Sequence, residues 1–205
     1  GTVAPNPYYT REIADMCMET IFIPTIRAMS NENRTFKGCL YFGLMITEDG
    51  PKVIEYNCRF GDPETQVVLP LLDTDLIDIF NAVINETLNE LNIKWKNQSA
   101  ACIIMASGGY PKKYETGIEI SGLDEKGQLS DSMIFHAGTQ FKDEKFYTSG
   151  GRVLGVTAIS DKLNSAIDLA YSSVSKIYFD KVHYRKDIGQ RALNSKKSQE
   201  ELVCY

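Results

Sequence analysis

The stretch Lys52-Val-Ile-Glu-Tyr-Asn-Cys-Arg-Phe-Gly-Asp-Pro-Glu-Thr-Gln66 decides how this chain is read. Its first half has the composition of a β-strand, in which successive side chains point to opposite faces. Glu55, Asn57 and Arg59 then share one face, and Ile54, Tyr56 and Cys58 share the other. A carboxylate, an amide and a guanidinium in a row do not build an apolar core. Hard divalent cations such as Mg²⁺ take oxygen ligands, and Glu55 and Asn57 offer them at adjacent same-face positions. Arg59 comes next in line, where an anion held by that metal would lie. The strand breaks at Phe60-Gly61-Asp62-Pro63, a turn composition, and more oxygen-bearing side chains follow at Glu64, Thr65 and Gln66. The competing reading is an exposed sheet face with ordinary ion pairs.

Upstream, residues 36–46 hold an almost unbroken apolar run, Cys39-Leu-Tyr-Phe-Gly-Leu-Met-Ile, which predicts a strand buried on both faces. Thr47-Glu-Asp-Gly50 is a hairpin signal, so the strand over 52–59 returns antiparallel. Earlier still, Thr10 caps a helix whose apolar residues recur at helical spacing, with Pro24 kinking or restarting it and the pattern running to about Met29. Downstream, Val67-Val-Leu-Pro-Leu-Leu is apolar packing, and Asp73-Thr74-Asp75 caps a helix to about Leu91. Its stripe of Leu76, Ile79, Phe80, Val83, Ile84, Leu88 and Leu91 is read as core.

The pattern changes after the polar stretch 92–99. Short strands over 100–106, 118–120, 132–137, 145–148 and 152–159 alternate with glycine turns. Asp161 then caps a helix carrying Leu163, Ala166, Ile167, Ala170, Val174 and Ile177 on one side. The expected domains are 1–95 and 96–193, with a disordered Lys, Ser, Gln and Glu-rich tail over 194–205. Strands and helices without regular βαβ alternation make the fold class α+β.

Composition narrows the function. At 205 residues, 43% hydrophobic and 24% charged, the chain has the make-up of an ordinary globular protein. A net charge of −5 argues against a nucleic-acid partner. No apolar run is long enough to span a membrane. Five cysteines without a Cys-x-x-Cys pair suit reduced thiols and a cytoplasmic location, and two histidines far apart argue against a zinc site. The start, Gly1-Thr-Val-Ala-Pro, reads as a mid-protein loop, so the chain is taken as a fragment.

Other chemistry is weaker. Ser107-Gly-Gly-Tyr-Pro and Ser149-Gly-Gly-Arg resemble tight turns more than phosphate loops, since neither opens a helix. Arg185 and Lys186 are adjacent cations that could meet a phosphate. His136 reads as a structural histidine. Cys58 faces away from Glu55 and is no nucleophile candidate.

The run from Ile54 to Gln66 resembles the signature of the glycinamide ribonucleotide synthetase (phosphoribosylamine–glycine ligase) family of ATP-grasp enzymes. Leu40-Tyr-Phe-Gly-Leu-Met, Ala106-Ser-Gly-Gly-Tyr-Pro, His136-Ala-Gly-Thr, Gly150-Gly-Arg-Val-Leu-Gly-Val-Thr-Ala and Tyr184-Arg-Lys-Asp-Ile-Gly look like the same family, in the same order. The resemblance implies the C-terminal part of an ATP-grasp domain, an antiparallel sheet with helices. A small β-rich C-terminal domain with a packed helix follows it. It implies ligation of glycine to 5-phosphoribosylamine through a glycyl phosphate, with ADP and phosphate released. Glu55 and Asn57 would hold Mg²⁺ or Mn²⁺ on ATP, Arg59 would be catalytic, and Arg59, Gly61, Asp62 and Glu64 would bind substrate. The missing N-terminal half is the expected partner, and without it the fragment is expected to be inactive and to self-associate through an exposed sheet edge. The alternatives are another ATP-grasp carboxylate–amine ligase, or a non-catalytic assembly module.

Overall fold

The computed structural model describes residues 1–195; Cys204 and most of the expected tail lie outside the described residues. In chain order the elements are β1 (Thr2–Ala4), α1 (Arg11–Cys17), α2 (Ile23–Asn31), β2 (Tyr41–Thr47), β3 (Gly50–Asn57), α3 (Thr65–Leu71), α4 (Leu76–Ile84), β4 (Ser99–Ala106), β5 (Glu119–Ile120), β6 (Met133–His136), β7 (Thr139–Lys142), β8 (Lys145–Thr148), β9 (Arg152–Ser160), α5 (Leu163–Val174) and α6 (Gln190–Leu193). Every strand pair is antiparallel, in keeping with the α+β expectation. No described helix is long and apolar enough to cross a membrane.

The chain forms two compact units. One holds Gly1–Ala4, Pro63–Leu71 and Asn97–Asn194; the other holds Pro5–Asp62 and Leu72–Lys96. A single cut at 95/96 therefore differs from the structure at two places. β1 pairs with β4, and α3 packs on β1, β4 and β9, so both early stretches fold with the later residues.

In the first unit, β1-β4-β9-β6 form a sheet whose central strands are buried on both faces. The register Ala101↔Ala158, Ile103↔Val156 and Met105↔Leu154 puts six apolar side chains on one face. They join Leu163, Ala166, Ile167, Ala170 and Val174 of α5 in one core, with Ile177 and Phe179 closing it. The helical stripe expected after Asp161 is thus buried as read. Asp161 itself does not cap: Lys162 holds the N-cap position, and the Asp161 carboxylate accepts from Gln98 Nε2 at 3.0 Å.

The second sheet of this unit, β5-β8-β7, contains a hairpin the sequence reading left out. Its turn residues Asp143 and Glu144 both take positive φ, +48° and +60°. Such turns usually carry Asn-Gly or Asp-Gly, and Asp-Glu gives no such signal.

In the other unit, Thr10 Oγ1 accepts from Ile13 N and caps α1 as expected. A π-helical turn, Met18–Phe22, leads to α2, which Pro24 opens where its missing N–H costs nothing. β2 and β3 form the expected hairpin, closed by Thr47 Oγ1 donating to Gly50 O at 2.8 Å. Two expectations fail here. The 36–46 run is not buried on both faces: β2 is half-buried at first and exposed from Met45 on, because among the described residues β3 alone pairs with it. The helix begun at Asp75 stops at Ile84 rather than Leu91. Glu86 adopts φ +61°, Thr87 N bonds Ala82 O at 2.9 Å and Glu86 N bonds Val83 O at 3.4 Å. This is a Schellman closure with Glu in the position usually taken by Gly. Nor is the stripe core: Leu76, Ile79, Val83 and Leu91 are half-buried, and Phe80, Ile84 and Leu88 are 45%, 70% and 40% exposed.

Candidate functional site

β3 places the first candidate residues. A bulge sets Glu55 opposite Gly43 and Val53 opposite Leu44, leaving Ile54 unpaired and 62% exposed. Bulges re-aim side chains and recur next to active sites. Beyond it, Glu55 and Asn57 lie on one side, and Asn57 Nδ2 donates to Glu55 Oε1 at 2.9 Å. The Glu55 side chain runs across Gly43, where a Cβ would come within 2.8 Å of its Cγ. Gly43 is thus the floor that lets this carboxylate lie flat on the hairpin. On the opposite face, Tyr56 packs edge-on against Phe42 at 5.3 Å, and Phe42 against Phe22 at 4.4 Å. The expected segregation of polar and apolar faces is therefore real at Glu55, Tyr56 and Asn57.

Arg59 departs from the expectation. The strand ends at Asn57, Cys58 and Arg59 sit on a bend, and Arg59 Nη1 donates to Phe60 O at 2.8 Å. Strand alternation stops before Arg59, so its same-face placement does not follow from β3. Gly61 is buried and Asp62 exposed. The division between the units falls after Asp62, so Glu64 belongs to the other unit, at the entrance to α3, where its carbonyl accepts from Val67 N and Val68 N.

Glu55 and Asn57 fit a divalent cation by donor chemistry. Their mutual bond leaves Glu55 Oε2 and Asn57 Oδ1 outside it, and Glu55 is open to solvent. Mg²⁺ binds through one or two protein oxygens and completes its shell with water and substrate phosphates. Among the described residues no cluster of three or more His, Cys, Asp or Glu side chains is placed for a metal.

The remaining candidates lie in the other unit. Arg185 grips Asp187 with two bonds, Nε to Oδ1 at 2.8 Å and Nη2 to Oδ2 at 2.6 Å. That fork holds the Asp187 carboxyl below its usual range. Arg185 lines an open recess of 290 Å³ together with Ile104, Tyr110, Arg152, His183 and Tyr184; Lys186 does not line it. Tyr110 and Arg152 lie in the two glycine turns that the sequence reading takes as tight turns rather than phosphate loops, and His183 carries no local signal. His136 is structural as expected: its ring nitrogens bond Thr139 Oγ1 at 3.0 Å and Gly127 O at 2.9 Å. Cys17, Cys39, Cys58 and Cys102 are thiols outside any disulfide. Burial pushes the Cys17 and Cys39 thiols up.

Comparison with known proteins bears on the whole chain. Residues 1–65 match the ATP-grasp (A) domain of phosphoribosylglycinamide synthetase, and residues 100–191 match its C domain. A phosphoribosylamine–glycine ligase of Caldanaerobacter subterraneus is 46% identical over 188 residues, covering 92% of this chain and 44% of that protein. The trifunctional purine biosynthetic protein adenosine-3 of Gallus gallus is 47% identical over 194 residues, 94% of this chain and 19% of that protein. The crystal structure of a phosphoribosylamine–glycine ligase from Thermotoga maritima superposes with a TM-score of 0.72 at 31% identity, covering 91% of this chain and 45% of that one. Rhizobium etli pyruvate carboxylase, at 12% identity and TM-score 0.51, shares the fold alone. The chain spans less than half the length of these relatives.

Proposed function

The chain belongs to the phosphoribosylglycinamide synthetase family, and on that premise we propose that it forms the carboxy-terminal part of an ATP-dependent ligase joining glycine to 5-phosphoribosylamine. The observation that carries this reading is the Glu55–Asn57 pair of β3, with Glu55 laid over Gly43 of β2. A carboxylate is a poor electrophile. Its oxygen must first take the γ-phosphoryl group of ATP, releasing ADP; the amine then attacks the acyl carbon and phosphate leaves. Glu55 and Asn57 would hold Mg²⁺ or Mn²⁺, which neutralises charge on the phosphates. Arg59 would meet the transferring phosphoryl with its fork of donors. Gly61, Asp62 and Glu64 would place glycine, one carboxylate facing its ammonium. Thiols outside any disulfide suit a reducing, cytoplasmic setting.

Two tests read this directly. The chain alone, given Mg-ATP, glycine and 5-phosphoribosylamine, is expected to form no product above blank, because its relatives carry more than half their length outside the matched stretch. Turnover by the chain alone would refute the assignment of essential residues to that remainder. A reconstituted ligase is this chain joined to the rest of the Caldanaerobacter protein. There, Gly43→Ala is expected to displace Glu55 and weaken Mn²⁺ binding about tenfold or more, the scale of a supporting contact behind a metal ligand. Unchanged affinity would mean Glu55 does not bind metal.

The exposed Ile54, Tyr56, Ile77, Phe80 and Ile84 are an apolar surface on one unit. Sedimentation of the chain alone is expected to show dimers or larger species as concentration rises. A monomer throughout would contradict the view that this surface is normally covered.

A further inference from the structure

The two glycine turns left as structural elements build one wall of the 290 Å³ recess. Ser107 N donates to Gly151 O at 2.8 Å, and Ser107 Oγ donates to Gly150 O at 2.8 Å, so the two turns are tied together. The Tyr110 ring lies against Gly151, where any Cβ would fall 2.2 Å from its Cδ2 and 3.1 Å from Tyr114 Cε1. Only glycine leaves room for that approach. Tyr114 meets Tyr110 edge-on at 6.1 Å. A second wall comes from Ala106 and His183, which exchange backbone bonds of 2.7 and 2.9 Å and carry the chain directly into Tyr184 and Arg185. Tyr171 hydroxyl donates to Arg185 O at 2.9 Å and accepts from Ile188 N at 3.0 Å, which fixes the backbone of this wall.

Arg152, Arg185 and His183 line this recess beside Tyr110, Tyr184, Ile104 and Ile188. Asp187 occupies Nε and Nη2 of Arg185, leaving Nη1 outside that pair. In a chain with a net charge of −5, two arginines and a histidine around one concave, partly apolar surface are a selective gathering of donors. A bare carboxylate needs one such partner. A phosphomonoester dianion, with three terminal oxygens, uses several donors at once, and the apolar wall suits the carbon body it is attached to.

We propose that this recess binds the phosphate end of a small sugar phosphate, with Arg152 and His183 as contacts, Arg185 as a third donor and Tyr110 as the wall beside the sugar. The inference rests on the ligase reading for the identity of the sugar, a phosphorylated ribose, and places its phosphate on residues of a single unit.

The test is a titration of ribose 5-phosphate, and separately of ribose, into the full chain, followed through the amide signals of Ala106, Gly151, His183 and Tyr184. Ribose 5-phosphate is expected to shift these signals saturably and ribose to leave them unmoved. Arg152→Gln is expected to weaken binding about tenfold, as loss of one charge-assisted contact does. His183→Asn removes an exposed side chain and gives an independent reading should Arg152→Gln fold poorly. No saturable shift by about 10 mM ligand, well beyond the range of ordinary substrate affinities, would overturn the proposal. So would equal affinity in both variants, or shifts centred outside the recess. Mg-ATP titrated into the reconstituted ligase beside Glu55→Ala reads the metal face separately. Failure at the recess with an intact metal face overturns this inference alone.

Discussion

Arg59→Ala in the reconstituted ligase is expected to lower kcat about 10²–10³-fold, the loss that follows removal of one donor aimed at charge developing in a transition state. Arg59 follows the Glu55–Asn57 pair on a bend, and its Nη1 donates to Phe60 O. The Mg-ATP KM is expected to change far less than kcat, because the in-line transition state has a geometry and a distribution of charge that ground-state ATP does not. Arg59→Lys keeps the charge but loses the planar fork, and is expected to fall between wild type and Ala. Steady-state ADP release checks this. A variant that raised KM and spared kcat would make Arg59 a binding residue and remove it from the chemical step.

The largest effect on stability is expected at Phe179. It is fully buried and the largest such side chain, set against the α5 and β4–β9 core. Phe179→Ala is expected to cost about 3–5 kcal/mol, since the lost transfer energy adds to an unfilled cavity. Phe179→Leu, which keeps most of the volume, is expected to cost much less. Urea denaturation gives both values, and a loss under about 1 kcal/mol for Ala would contradict the packing described, in which no surface position is involved.

What the sequence made legible follows from which signals are local. The α5 stripe could be read because six apolar residues recur at helical spacing and all face one sheet. The Glu55–Asn57 face could be read because alternation holds as far as Asn57. It could not be carried to Arg59, because the strand ends before it and nothing in Asn57-Cys58-Arg59 announces the bend. The ends of α4 and β7 were hidden for one shared reason. Glu86, Asp143 and Glu144 adopt positive φ without being Gly or Asn, so backbone punctuation lacked its usual letters. The burial of β2 and of the α4 stripe was overestimated because apolar content reports what a surface would bury, and not whether a partner is present. The recess around Arg152 and His183 is non-local: it joins residues far apart in sequence, through pairings such as Ala106 with His183 that no window along the chain contains.

The most direct test of the central claim is ADP release by the reconstituted ligase with and without glycine and 5-phosphoribosylamine, measured beside Glu55→Ala, Asn57→Ala. The account predicts sustained, multiple-turnover release only when both substrates are present, and a collapse of that release in the double variant. Release undiminished in the double variant, or triggered equally by a different carboxylate, would contradict it.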